Sequence, residues 1–316
     1  MRTVDAAGMA AGYALDALVG DPRRYHPVAG YGRAATALER LLYAPSQADG
    51  AIFTGVAVGV PVLAAVAAAR ATRHRPVARF VLVTATTWAV LGGRSLRREA
   101  EHMADALEGH DLAAARERIT HLVGRDPAAL DAAGLARATV ESVAENTSDA
   151  EVAPLFWGAV AGLPGLVGYR AVNTLDAMVG HRSQRYARFG TASARLDDAA
   201  NLIPSRLTAV LTALRAPVVG GGVRRTADVW LRDGSRHPSP NSGQCEAAFA
   251  GALGVRLGGE NVYFGRTETR PHLGDGGKPA AGDARRAARL SAAVGVAALG
   301  VAVAGRLLFG GRRSGR

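Results

Sequence analysis

Residues 51–69 read A-I-F-T-G-V-A-V-G-V-P-V-L-A-A-V-A-A-A, a run without a single charge. Coiled as a helix it extends roughly 28 Å, close to the ~30 Å hydrocarbon core of a bilayer. Residues 77–93 form a second apolar run interrupted only by Arg79, so 51–93 reads as a helical hairpin. Residues 290–309 give a third run that ends at Arg312 and Arg313. Three such runs set the fold class: an all-α, multi-pass membrane helical bundle, with amphipathic and re-entrant helices at one membrane face. The whole of 1–316 is expected to be one membrane-embedded domain.

Three further apolar segments are less regular. Residues 4–20 carry Asp16, which at mid-membrane costs on the order of 2.5–3.5 kcal/mol unless paired. Residues 152–169 hold Pro154 and Pro164 with Gly158, Gly162, Gly165 and Gly168, and residues 202–222 hold Pro204, Arg206 and Arg215. Gly55/Gly59 and Gly158/Gly162 have the small-xxx-small spacing that lets helices approach closely. Four polar segments lie between: 21–50, 94–151, 170–201 and 223–289. The second reads as amphipathic helix broken near Gly109 and at Asp126-Pro127. The last is loop-rich, with 265–283 as a flexible Gly/Pro linker. If all six apolar segments crossed, 170–201 would lie on the face opposite the other three polar segments. A site using all four therefore requires 152–169, 202–222 or both to be broken or re-entrant, as their Pro and Gly content permits.

The net charge of +11 resides almost wholly in arginines, since Lys278 is the only lysine. They gather beside apolar runs (Arg70, Arg73, Arg75 and Arg79; Arg94, Arg97 and Arg98), where such side chains anchor at lipid headgroups. No aromatic-interleaved basic stripe is present, so the partner is the lipid bilayer and not nucleic acid. Arginine in every polar segment leaves the positive-inside rule little contrast for orientation. Asp5 and Asp16 interrupt the N-terminal apolar region, which argues against a cleavable signal. Cys245, the single cysteine, excludes an intrachain disulfide and a cysteine-based zinc site.

The polar segments carry the chemistry. In E-S-V-A-E-N-T-S-D at 141–149, Glu141, Glu145 and Asp149 follow at four-residue spacing on one helical stripe. Like charges so placed repel by a few tenths of a kcal/mol per pair unless a cation compensates, and oxygen ligands with Asn146 alongside suit Mg²⁺. A solvated acidic face is the plainer alternative. Asn173 and Asp176 lie in N-T-L-D, ahead of Gly180-His181-Arg182. In R-L-D-D-A-A-N-L-I-P-S-R, Asp197 and Asp198 share a helical face with Asn201, between Arg195 and Arg206. Carboxylates and amides at a membrane boundary point to function, although these arginines and aspartates could simply neutralise one another. Ser239-Pro240-Asn241-Ser242-Gly243 opens an Ala-rich helix, where backbone N–H groups either bind an anion or are capped locally. His26, in G-D-P-R-R-Y-H-P-V with Asp21, is the one histidine set in a motif. There is no G-x-x-x-x-G-K-[ST], H-E-x-x-H or G-x-S-x-G.

Taken in order, these stretches resemble one family, the membrane-bound adenosylcobinamide-phosphate synthases of cobalamin biosynthesis (CobD/CbiB). They are G-D-P-R-R-Y-H-P-V at 20–28, E-S-V-A-E-N-T-S-D at 141–149, A-P-L-F-W at 153–157 and N-T-L-D-A-M-V-G at 173–180. A-R-L-D-D-A-A-N-L-I-P-S-R-L-T-A at 194–209, S-P-N-S-G at 239–243 and A-G-A-L-G-V-R-L-G-G at 250–259 complete the set. The resemblance implies a multi-pass inner-membrane ligase joining (R)-1-amino-2-propanol, or its O-phosphate, to a propionate carboxylate of adenosylcobyric acid. ATP would activate the carboxylate, with an acyl phosphate as the natural route and Mg²⁺ and cationic groups balancing phosphoryl charge. It further implies contact with other corrinoid-pathway membrane enzymes. Glu141, Glu145, Asp149, Asp197 and Asp198 are then the candidate catalytic residues, all but Glu141 being candidate Mg²⁺ ligands. Asp21, His26, Asn146, Asn173, Asp176, Arg195, Asn201, Arg206, Ser239, Asn241 and Gly243 are candidate substrate binders.

The chain departs from the family pattern at Ala150-Glu151, where the family usually has Gly after the acidic tract. If that position needs a positive φ, Ala would strain it. Cys245 also replaces a residue that is often proline, and is expected to have no catalytic role. Two other classes compete. A non-catalytic signalling or transport relative would suit Asp16 and a broken 152–169. A lipid-headgroup transferase would need D-x-x-D-G-x-x-A-R, which is absent.

Overall fold

The computed structural model describes residues 1–21, 26–122, 130–181, 183–263 and 266–309. Residues 22–25 of the first motif, the expected break at Asp126-Pro127, Arg182 and the Arg312/Arg313 flank lie outside the described residues. In chain order the helices are α1 (Arg2–Val19), α2 (Pro27–Leu42), α3 (Gln47–Ala71), α4 (Pro76–Val90), α5 (Gly93–Glu108), α6 (Leu112–Ile119) and α7 (Ala132–Thr147). Then come α8 (Ala153–Ala161), α9 (Leu163–Leu175), α10 (Tyr186–Phe189), α11 (Thr191–Arg215), α12 (Val223–Asp233), α13 (Ser242–Leu253) and α14 (Ala281–Phe309). Strands β1 (Leu257–Tyr263) and β2 (Arg266–Leu273) precede α14.

Among the described residues, four helical stretches are long and apolar enough to cross a membrane: Gln47–Ala71, Pro76–Glu108, Thr191–Val219 and Ala281–Leu308. The chain is thus an all-α, multi-pass membrane bundle, and the runs 51–69, 77–93 and 290–309 overlap three of these stretches. It divides into two compact units. The first comprises Met1–Gly92, Asp149–Asn201 and the chain from Ala298; the second comprises Gly93–Ser148 and Leu202–Ala297.

In the first unit α1 packs against α4 through Gly8 and Gly12. A Cβ at Gly12 would lie 2.5 Å from Thr87 Cβ and 2.6 Å from the Thr84 carbonyl, so the close approach requires glycine. This small-xxx-small pair brings two helices together. Gly55 and Gly59, with the same spacing on α3, face open space. Gly158 of the other expected pair does pack closely, against Leu166 and Met9. The Arg79 that interrupts 77–93 is buried and bonds Asp5 through Nε (2.6 Å) and Nη2 (3.1 Å), and Arg306 Nη2 reaches the same carboxylate at 2.6 Å.

Segment 152–169 is broken as its composition suggests. α8 ends at Gly162, whose φ of 66° is the left-handed conformation that glycine tolerates, and α9 starts at the next residue. Nine helical residues rise only about 14 Å, about half a bilayer core. α8 and α9 pack on each other, and Asp149, just before α8, is hydrogen-bonded to Asn173 near the end of α9. The chain therefore returns to the level from which it left, as a re-entrant pair does.

Segment 202–222, the other candidate for a break, is not interrupted at its proline. α11 runs unbroken through Pro204 to Arg215. Proline lacks the N–H that would bond the carbonyl four residues back, and here Trp157 Nε1 donates to that carbonyl, Ala200 O, at 3.0 Å. The device recurs in α3: Pro61 leaves Ala57 O free, and Tyr31 Oη donates to it at 3.2 Å. With each freed acceptor satisfied, the helix continues.

In the second unit α5 is amphipathic and ends at Gly109-His110, as expected. Segment 223–289 is more ordered than its loop-rich composition suggests, with α12, α13 and an antiparallel β1–β2 hairpin. The expected linker 265–283 therefore contains β2. A bulge between Leu257 and Gly259, with φ of 79° at Gly258 and 91° at Gly259, uses the glycines that disguise the strand.

Candidate active site

The acidic tract changes helix type where the chemistry begins. α7 gives way at Ser148 to a π-helical turn, Ser148–Val152, and a second π-helical turn, Asp176–Gly180, follows α9. Such turns insert one residue per turn and re-aim side chains, often at functional sites. Glu141, Glu145 and Asp149, four residues apart in the sequence, take separate donors. Ala150 lies within the first π turn without a positive φ, so the strain anticipated for Ala in place of Gly does not arise.

The first unit gathers a connected row of polar groups. Asp149 accepts from Tyr169 Oη (3.3 Å) on Oδ1 and from Asn173 Nδ2 (3.1 Å) on Oδ2. Tyr169 Oη also meets Asn201 Oδ1 at 2.9 Å, and Asn201 Nδ2 donates to Asp197 Oδ2 at 3.0 Å. Asp197 Oδ1 is buried without a hydrogen bond, and Asp176 and Asp198 are its neighbouring carboxylates. Gly180 lies so close to Asp176 Oδ1 that any Cβ there would collide with it. Asp21 Oδ1 lies 3.5 Å from His26 Nε2. His26 Nδ1 accepts from Val28 N–H at 3.1 Å as the N-cap of α2. Asp149, Asn173 and Asn201 come from two of the four polar segments, and the α8–α9 return brings Asp149 to Asn173. Arg195 is exposed at the start of α11. Tyr169 and Arg170 were not singled out in the sequence, because they close an apolar segment.

The second unit holds the remaining candidates. Glu141 is buried and accepts from Gly258 N–H at 2.9 Å, with Arg137 Nε at 3.8 Å. Arg137 also donates to the Gly258 carbonyl and, at 2.7 Å, to that of Glu260, so this pair fastens the hairpin bulge. Glu145 Oε1 accepts from Ser242 Oγ at 2.7 Å. Asn146 Nδ2 turns back to Ser142 O and Oγ (2.9 and 3.1 Å), and Arg206 Nη1 to Leu202 O at 2.8 Å. At the start of α13, Ser239 Oγ takes the N–H groups of Asn241 (3.3 Å) and Ser242 (3.2 Å). Local capping thus occupies the donors considered for anion binding. Asn241 Oδ1 accepts from Ser205 Oγ at 3.1 Å. Gly243 is needed for room, since a Cβ would meet His237 Cβ at 2.4 Å. Burial, then the nearby Arg270 charge, holds the His237 imidazole below its ordinary value. Cys245 is buried with Sγ 3.8 Å from Ser205 O. Between α7 and the hairpin lies a cavity of about 650 Å³, lined by Arg137, Arg256, His272, Lys278 and the glycine bulge.

Among the described residues no three His, Cys, Asp or Glu side chains are gathered closely enough to hold a metal ion.

Comparison with known proteins agrees with the order of the motifs. The family model described as CobD/Cbib protein matches residues 9–291. The cobalamin biosynthesis protein CobD of Mycobacterium tuberculosis is 52% identical over 300 residues, covering 94% of this chain and 95% of its own. That of Geobacter metallireducens is 48% identical over 270 residues (84% and 85%), and that of Chromobacterium violaceum 43% over 283 (87% and 88%). No solved structure matches. A family model spanning nearly the whole length, joined to relatives about half identical across it, establishes that this chain belongs to the CobD/CbiB family.

Proposed function

We propose that the chain is a cobalamin-biosynthesis enzyme of the inner cell membrane. Its reaction is the ATP-dependent amide ligation of (R)-1-amino-2-propanol, as its O-phosphate, to a propionate carboxylate of adenosylcobyric acid, giving adenosylcobinamide phosphate. The observation that carries this reading is the row Asn173–Asp149–Tyr169–Asn201–Asp197. An amine must lose protons as it acylates, and a carboxylate fixed by two neutral donors is pre-positioned to take one. Tyr169 and Asn173 hold Asp149 from different sides, so its oxygens do not turn away as the substrate enters. Asn173, half-buried, supplies an amide group that matches the amide-rich edge of a corrinoid.

Two absent groups are consistent with the residues present. Mg²⁺ prefers one or two carboxylates with water and substrate phosphate, and the unpartnered Asp197 Oδ1 is an oxygen ligand of that kind. Arg137, Arg256 and Lys278 around the 650 Å³ cavity would hold a triphosphate. Bound ATP would supply the phosphoryl group that makes the carboxylate an acylating agent.

The test is direct. Membranes carrying the chain receive adenosylcobyric acid, ATP, Mg²⁺ and aminopropanol O-phosphate, and the amide product is followed by mass spectrometry. No product from folded protein with every substrate present would discard the ligase reading. Asp149→Asn is expected to lower kcat by about 10²–10⁴-fold, the usual contribution of a positioned base.

A further inference from the structure

The arginines gathered beside the spans are alike in sequence and unlike in the structure. Arg79 turns inward to Asp5 and the Ala69 carbonyl, and Arg94 and Arg97 are engaged within the protein. Arg70, Arg73 and Arg75, at the turn that joins α3 to α4, are exposed. Among the described residues their side chains make no hydrogen bond or ion pair. The turn does not need them: Thr72 Oγ1 donates to Ala68 O at 2.8 Å, and Arg75 N–H closes onto Thr72 O at 3.0 Å.

Their charge has no local counterweight. From Gly50 to Arg98 the chain contains no carboxylate. α1 and α4 run side by side in the same direction, since Asp5 meets Arg79, Gly8 meets Val83 and Gly12 meets Thr87. Asp5 is thus the acid that α1 brings to this end, and Arg79 and Arg306 already share it. Within about two helical turns of the arginines, the spans expose Leu63 on α3 and Val77 and Val81 on α4. Guanidinium groups above an exposed apolar wall match an amphiphile with an anionic head on hydrocarbon chains.

We infer that the α3–α4 turn is a docking surface for an anionic phospholipid, whose phosphate is gripped by Arg70, Arg73 and Arg75 while its chains lie along Leu63, Val77 and Val81. A planar guanidinium recognises phosphate bidentately. The lack of a free carboxylate at this end decides which lipid. A zwitterionic headgroup brings a cation that meets only arginines, whereas phosphatidylglycerol brings none. Basic side chains at an anionic lipid surface each favour it by about fivefold. The bound phosphate also offsets the single positive charge left over by Asp5, Arg79 and Arg306. Neither a nucleotide nor a corrinoid enters this surface, so it stands or falls apart from the ligase reading.

Arginine modification tests the surface on the native chain. The full chain is placed in nanodiscs of phosphatidylcholine, alone or mixed with phosphatidylglycerol, treated with phenylglyoxal and read by peptide mass spectrometry. Phosphatidylglycerol is expected to slow modification of Arg70, Arg73 and Arg75 at least fivefold. Arg33 and Arg40, exposed on α2, should change by less than twofold. In native mass spectrometry from mixed discs, phosphatidylglycerol should be retained at least fivefold over phosphatidylcholine. Arg70→Gln/Arg73→Gln/Arg75→Gln should bring retention within twofold of parity, and Arg33→Gln/Arg40→Gln should preserve the preference. Equal modification rates in the two kinds of disc would overturn the surface, whether or not the triple variant folds. Protection shared equally by Arg33 and Arg40 would replace it with a diffuse charge effect. Inorganic phosphate protecting the three arginines as well as phosphatidylglycerol does, in discs of phosphatidylcholine alone, would overturn the lipid in favour of a soluble anion.

Discussion

Two ion-pair clusters, one in each unit, handle the same residue types in opposite ways. In the first, Asp5 is 3% exposed and Arg79 is 7% exposed, and they meet in an apolar setting with Arg306 as third partner. In the second, Arg285 reaches Asp105 and Glu108 from side chains that are 39%, 59% and 48% exposed. Counting ion pairs would make the two equal, but burial separates them. A pair out of water has paid desolvation on both partners, and losing one strands the other. A wet pair exchanges one set of neighbours for water.

The sharpest way to break the comparison is Arg79→Met. It should cost about 3–5 kcal/mol in unfolding from detergent, because Asp5 keeps only Arg306. A loss below 1 kcal/mol would show that water reaches the pair. Next comes Trp157→Phe, which leaves Ala200 O without its donor and should cost about 1–3 kcal/mol by the same measurement. Arg285→Met, the control in the second unit, should cost less than ~1 kcal/mol, and still less at high salt. The smallest effect is a pH dependence at His237. Its depressed folded value means that the unfolded chain binds the proton first. Stability in the second unit should then fall as pH drops below about 6.5 and be unaffected above it. His237→Gln should flatten that fall, and an unchanged pH profile would assign the acid sensitivity elsewhere.

How much of this could be read from the sequence depended on range. Charge-free runs such as 51–69 declare a span locally, and Pro154, Gly162 and Pro164 declare the break between α8 and α9. The two π-helical turns were invisible, because S-D-A-E-V and D-A-M-V-G are composed like ordinary helix. The β-hairpin was hidden by the glycines that shape its bulge. Pairings at long range left no trace: nothing marks Asp5 as the partner of Arg79, or Gly8 and Gly12, not Gly55 and Gly59, as the contact pair. Of the candidate site, Asp149, Asn173, Asp197 and Asn201 were legible as residues but not as one connected row. Tyr169 and Arg170 carry no local signal, because they sit where an apolar segment gives way to a polar one.

The two prolines inside α3 and α11 have an evolutionary consequence. Each withholds a donor from one carbonyl, and one distant aromatic side chain makes up the difference: Tyr31 for Pro61, Trp157 for Pro204. Restoring an N–H at 204 with alanine would give Ala200 O a second suitor and relieve Trp157 of its duty. Trp157→Phe should then be nearly silent in a Pro204→Ala background and harmful without it. The proline and its aromatic partner are therefore free to drift only together, as one heritable unit split across the chain.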